Sequence, residues 1–248
     1  MAQVFLELPS STGSGRRNFQ GLVRAAQLTH MGLAVDALFF IAAFATPVAV
    51  CIGMLAEGKG SVATKLSTSF TWHPILMTLA FSCFMVLGRW AYVTDSLGDK
   101  VKQRPVHRAF MALGALFAMG GYAAIFVAHV QKPTFFGYNF HTRSWAVPTR
   151  VLHDLFGYGV LLLTLTQASM GLQKLAKLSA GVKVFTFHGT LGKAIMLLAS
   201  VQIVIACIIW PWATPLKILI GVLAVGAALF GAFYPNVSKE AARSLSQA

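Results

Sequence analysis

The sequence predicts an all-α membrane protein built from six transmembrane helices, and three observations predict it. Of the 248 residues, 56% are hydrophobic and 11% charged, with a mean hydropathy of +0.69. A soluble domain carries roughly 25% charged residues. The apolar residues gather into six runs, each near the ~20 residues that cross a bilayer. Lys and Arg lie mostly between those runs. The net charge of +13 therefore reads as a topology signal and not as a nucleic-acid surface.

The runs occupy residues 31–55, 70–93, 107–129, 151–171, 187–210 and 215–234. Residues 1–29 are polar, contain SSTGSGRR, and read as a flexible tail ending in a short amphipathic segment. They lack a short apolar core ending in a small-residue cleavage site, so no signal peptide is expected. The first run carries Asp36, an intramembrane carboxylate and hence a functional candidate, with no partner legible in the sequence. EGKG at 57–60 closes that run, and FTWHPILMTLAF opens the second. Proline is tolerated in the first helical turn, so Pro74 places His73 just inside a helix start. GDKVKQRP at 98–105, QKP at 131–133 and PWATP at 211–215 punctuate the later runs. The expected organisation is a tail over 1–29, one transmembrane domain over 30–235 and a polar tail over 236–248. Cys51, Cys83 and Cys207 all lie in apolar runs and form neither a disulfide framework nor a zinc site.

Orientation follows from the cations outside the spans. Twelve Lys and Arg fall in the N-terminal tail, the 2–3 loop, the 4–5 loop and the C-terminal tail, against five in the 1–2 and 3–4 loops. The positive-inside rule then places both termini in the cytosol. Spans 1, 3 and 5 run outward and spans 2, 4 and 6 inward.

That topology sorts the histidines. His73, His107, His153 and His188 open the second, third, fourth and fifth runs. His73 and His153 fall at one outer level, His107 and His188 at one inner level. An imidazole facing lipid is costly, so each should face the bundle interior. Two neutral imidazoles on facing helices can clamp a haem iron from both sides, and helical bundles build cofactor sites this way. With both axial positions filled, such a haem carries electrons and leaves no site for O₂. Gly157 and Gly192 stand four residues after His153 and His188, one turn along the same face, where the lack of a side chain leaves room for a macrocycle. Met77 and Met111 stand four after His73 and His107 and can pack softly on the ring. Single intramembrane histidines also serve as plain interhelical hydrogen-bonding groups. The joint arrangement over four consecutive helices favours ligation. A diiron site needs carboxylates of the Glu-x-x-His type, and the spans have almost none.

The segments FTWHPILMTLAFSCFM, VHRAFMALGALFAMGGY, VLHDLFGYGVLLL and FHGTLGKAIMLLA, together spanning about residues 70–200, resemble cytochrome b561. This family has six helices, of which the central four (helices 2–5) hold two b-type haems. The FxWHPxLM opening is most similar to the stand-alone tumour-suppressor branch. The chromaffin-granule and tonoplast branch has Ser-Leu-His-Ser-Trp where this chain has VLHDLF at 151–156. That departure bears on the outer substrate site and leaves the ligand in place. The resemblance implies two haem b groups, with His73 and His153 on the outer and His107 and His188 on the inner iron. Met77, Met111, Gly114, Gly157 and Gly192 are the expected haem contacts. It also implies a direction: cytosolic ascorbate gives one electron inside, and monodehydroascorbate or a ferric chelate receives it outside. Homodimers are a family expectation, in an endomembrane (vesicle, vacuole, lysosome or ER) or the plasma membrane.

Charge and position suggest the substrate contacts. The basic stretch around His107 supplies Lys102, Arg104 and Arg108 for the ascorbate anion, with Lys183 from the 4–5 loop. Lys102 stands five residues before His107, the place of an ascorbate-contacting lysine in plant members. His129 ends the third run 22 residues after His107, about 33 Å along a helix and so at the opposite face. With His141, Arg143 and Arg150 it can line an outer anion or ferric-chelate site. His30 is expected at the interface, outside the four-helix core. A carrier fed by another donor such as a quinol, or a non-redox scaffold keeping the fold, are the alternative functions.

Overall fold

The computed structural model describes residues 13–56, 60–130, 132 and 134–234. The chain ends beyond these limits, the segment 57–59 and the His30 side chain lie outside what is described. Six helices are long and apolar enough to cross a membrane: Gly32–Ala56, Ser69–Val93, Lys100–His129, Pro148–Ser179, His188–Ile209 and Thr214–Phe233. They match the six apolar runs in order, because a backbone in hydrocarbon must satisfy its own polar groups and a helix does so within one segment.

The boundaries differ from the hydropathy reading in three places. The helix of the first span begins at Gly13, so the expected flexible tail is helical from that residue. The third begins at Lys100, because Asp99 caps it by accepting from the Val101 and Lys102 backbone N–H groups. Its first two turns are polar, and the cations expected in a loop stand on a helix. The fourth runs on to Ser179, where Gly181 takes a φ of 76° that suits glycine and the chain turns back. Pro74 lies at the sixth residue of its helix and not in the first turn.

Spans 1, 2, 5 and 6 share two apolar cores. One holds Phe39, Ala43, Leu87, Trp90, Ala228 and Ala232; the other Val50, Met54, Ile75, Trp212 and Ile220. A third core lies among spans 2–5, with Ala80, Phe81, Ala118, Val160, Ile195 and Ala199. The second span is π-helical over Leu79–Phe84, which takes up one residue more than an α-helical turn. Between the third and fourth spans lies a three-stranded antiparallel meander, unforeseen in the sequence: β1 Thr134–Phe135, β2 Tyr138–Asn139 and β3 Ser144–Trp145. Phe136 and Gly137, both at positive φ, make its first turn. Exposed Phe135, Phe140 and Trp145 give this end of the molecule an aromatic fringe suited to a membrane interface.

Asp36 is a tie between elements. Its carboxylate accepts from Trp90 Nε1 and Thr94 Oγ1, each at 2.6 Å, and from the Ser96 hydroxyl. These bonds lash the first span to the end of the second. Trp90 and Thr94 are buried, so removing the acceptor strands two buried donors. Asp36→Ala should therefore cost about 1–3 kcal/mol, while Asp36→Asn, which keeps an acceptor, should cost less. Thermal unfolding of the detergent-solubilised protein checks the order; an equal loss in both variants would mean that the acceptor is not what matters.

Candidate functional site

The four span histidines lie at two levels of the bundle. His73 and His153 face each other with ring centroids 6.3 Å apart and planes at 83°. A first-row metal ion holds an imidazole nitrogen at about 2.0–2.1 Å, so two nitrogens on opposite sides lie about 4 Å apart and their ring centroids about 6 Å. The His73–His153 spacing fits one metal ion between the rings. At the other end His107 lies within electrostatic reach of His188. The two levels are 14 residues of helix apart, about 21 Å, with the Phe81, Val160 and Ile195 layer between them.

The rings of the second and third spans are held by backbone carbonyls of the neighbouring helix. His73 Nδ1 donates to Gly121 O, and His107 Nδ1 donates to Gly88 O, both at 2.9 Å. A carbonyl only accepts, so each ring carries its proton on Nδ1 and keeps the Nε2 lone pair for a metal. The two contacts are related by the antiparallel packing. Gly121 follows His107 by 14 residues and Gly88 follows His73 by 15. The π segment at Leu79–Phe84 lies between His73 and Gly88 and absorbs the extra residue, which returns Gly88 to the face that meets the third span.

The fourth and fifth spans use glutamines instead. The Gln202 amide lies 2.8 Å from His153 Nδ1 and donates to His153 O at 2.6 Å. Gln167 Nε2 donates to His188 O at 2.7 Å. Gly171 makes room for the His188 ring: a Cβ there would lie 3.3 Å from His188 Cε1. Hydropathy and charge mark neither glutamine, although a repeated His-Gly-Gln spacing marks both.

Met77, Met111, Gly114, Gly157 and Gly192 all lie at contacts between spans. A Cβ on Gly157 or Gly192 would stand 2.8 Å from the Gln202 amide or 3.0 Å from the Gln167 amide. Each glycine thus faces a glutamine amide of the neighbouring span. Met111 and Met77 fill the grooves over Gly88 and Gly121. Gly114 is buried against Ala80 and Phe84 of the second span.

At the His107 end, Tyr92 packs on the His107 ring at 4.7 Å. Arg104 and Arg108 act electrostatically on Tyr92, and Lys100 stands over its ring at 5.2 Å. On a helix turning about 100° per residue, Lys102 points about 140° away from His107, while Lys100 is about 20° and Arg104 about 60° away. Lys102 therefore does not share the His107 face, which a loop reading could not reveal. Lys183 is exposed. Lys174 instead reaches Phe185 O at 3.2 Å and acts on His188. Arg89 acts on His107, and its buried Nε has no hydrogen-bond partner. At the other end, His129 packs near Phe70 with centroids 5.8 Å apart and lies within electrostatic reach of His73 and Asp154. Arg150 acts on His153 and Asp154. His141 and Arg143 sit exposed on the β2–β3 turn, where the His141 N–H donates to Asn139 Oδ1.

Among the described residues, no group of three or more His, Cys, Asp or Glu side chains stands together. A metal held by protein alone takes about four ligands. Two opposed imidazoles, as His73 and His153 stand, are the complement that a haem needs, since the macrocycle supplies the other four donors, and this pair fits it. A protein-family model described as eukaryotic cytochrome b561 matches residues 72–210, more than half of the chain, and covers all four histidines. Comparison with curated proteins and with solved structures gave no match.

The Gly121 contact can be tested by size alone. A Cβ on Gly121 would meet Met77 Cγ at 3.1 Å and the Leu76 Cβ and Met77 backbone nitrogen at 3.3 Å, whereas one on Gly120 would meet only Leu76 Cδ1, at 3.5 Å. Gly121→Ala should cost about 1–3 kcal/mol by pushing the second and third spans apart. Gly120→Ala should be neutral or slightly stabilising. Apparent Tm values in detergent read both, and equal values would remove the close approach at Gly121.

Proposed function

The chain belongs to the eukaryotic cytochrome b561 family, a family of transmembrane haem electron-transfer proteins, and from that premise we propose that it moves single electrons from cytosolic ascorbate, through two bis-histidine b haems, to monodehydroascorbate or a ferric chelate on the other side. The observation that carries the ligand assignment is the opposed pair His73 and His153 at 6.3 Å. The Nδ1 contacts that leave Nε2 free on His73 and His107 support it. Bound haem b supplies reversible one-electron chemistry at an iron with no open position. His73 and His153 hold one group, and His107 and His188 the other.

Charge favours the His107 end as the donor side. With both termini cytosolic, that end faces the cytosol. Ascorbate arrives as an anion and loses one electron and one proton. Arg104 and Arg108, beside Tyr92 and hence beside His107, raise the local concentration of such an anion. Lys174, near His188, adds to the same field. At the far end His129 and Arg150 flank the His73–His153 pair and offer cationic and hydrogen-bonding groups to an anionic acceptor or a chelate.

The ligand assignment predicts paired losses. Alanine at His73 or His153 should remove one spectral component, and alanine at His107 or His188 the other, with haem per polypeptide falling from two to one by pyridine haemochrome. If His73→Ala and His107→Ala remove the same component, the pairing is wrong.

The donor assignment predicts a salt-dependent rate. Arg104→Glu with Arg108→Glu should slow haem reduction by ascorbate by about tenfold or more at low ionic strength and flatten its salt dependence. Haem content and reduction by an uncharged reductant should change little. Lys102→Glu should have a much smaller effect, since that side chain points away. Stopped-flow reduction at low and high salt distinguishes the variants, and equal ascorbate rates in wild type and the double variant would move the donor site elsewhere.

A further inference from the structure

The fourth and fifth spans carry the same series of residues: a histidine, a glycine four positions on, and a glutamine ten beyond that. In the fourth it is His153, Gly157 and Gln167; in the fifth, His188, Gly192 and Gln202. Because the spans run antiparallel, Gln202 meets the His153 ring and carbonyl, and Gln167 meets the His188 carbonyl. Each glycine leaves the space that the incoming amide fills. Among the described residues, the buried side-chain atoms without a hydrogen-bond partner are Thr46 Oγ1, Arg89 Nε, Gln167 Oε1, His188 Nδ1 and Gln202 Oε1. Three of them belong to this arrangement. They are two amide oxygens and one ring nitrogen, the complementary halves of a hydrogen bond.

His73 and His107 face backbone carbonyls, which can only accept. A glutamine amide offers a donor on one side and an acceptor on the other. A neutral imidazole has one proton. If Nε2 of His153 binds a metal, that proton sits on Nδ1, and the group 2.8 Å away must accept it. Only the amide oxygen can do so, and it reaches the ring by a half-turn of the amide that gives up the Nε2–H bond to His153 O.

We propose that Gln202 and Gln167 are positioning residues, each of which turns its amide oxygen to accept the Nδ1 proton of His153 and of His188 respectively when Nε2 of that ring binds haem iron. The proposal rests on the ligand assignment made above. Accepting that proton fixes the tautomer and makes the imidazole a stronger electron donor, which favours the ferric state. Each haem then has one ligand locked by a carbonyl and one tuned by an amide.

The test is a potentiometric titration of the full-length protein in nanodiscs, followed optically and by EPR. Gln202→Leu removes the acceptor and should raise the potential of the component that His153→Ala abolishes. A tenfold change in the ferric-to-ferrous balance reads as about 59 mV for a one-electron couple. Gln202→Glu supplies a stronger acceptor and should lower that potential. Neither should move the other component, which Gln167→Glu should lower instead. Should Gln202→Leu bind no haem, Gln202→Glu decides alone, because a role in packing predicts no downward shift. Unchanged potentials, shifts of one sign in both variants, or equal shifts in both components would overturn the proposal. If His153→Ala leaves both components intact, the ligand assignment fails and not the role of the amide.

Discussion

The position of one proton governs the arrangement of this bundle. A histidine inside a membrane is tolerated when it is neutral and its N–H has an acceptor. His73 and His107 find theirs in carbonyls of helical glycines, Gly121 and Gly88. A helical carbonyl has two lone pairs and gives only one to its own helix. Glycine leaves it accessible to an incoming ring. The second and third spans must therefore pack closely and in one register, and Met77 and Met111 fill what remains of the grooves. The π segment at Leu79–Phe84 follows from the same constraint: without its extra residue, His73 and Gly88 could not both face the third span.

The layer of Phe81, Val160 and Ile195, with Phe84 and Phe117 packed nearby, separates the two histidine levels. Its named side chains are all apolar. The two histidine levels thus stand about 21 Å apart along the helix, with this apolar layer between them. The outer core formed with the first and sixth spans braces this unit from one side. Asp36 fastens that brace to the second span close to the His107 end, through Trp90 and Thr94.

Much of this was legible in the sequence. Hydropathy located all six spans, because nothing but a helix or a closed barrel satisfies a backbone in lipid. Alternating span direction alone puts His73 level with His153, and His107 level with His188. What escaped depended on local chemistry that hydropathy does not sense. The Asp99 cap turned a supposed loop into two helical turns, with Lys102 about 140° around the helix from His107. Asp36 found its partners some 54 to 60 residues along the chain, a separation that no local pattern reveals. Gln167 and Gln202 were visible in principle as a repeated His-x₃-Gly-x₉-Gln spacing. They read as ordinary polar residues until the antiparallel packing set each beside a histidine.

The central claim is that two imidazole pairs hold two haems with no open iron position. Low-temperature EPR of the purified ferric protein, combined with haem quantitation, tests it most directly. The account predicts two haems per polypeptide and two distinct low-spin ferric signals, with high-spin iron absent. One haem per polypeptide, or a high-spin ferric signal in the intact protein, would contradict it.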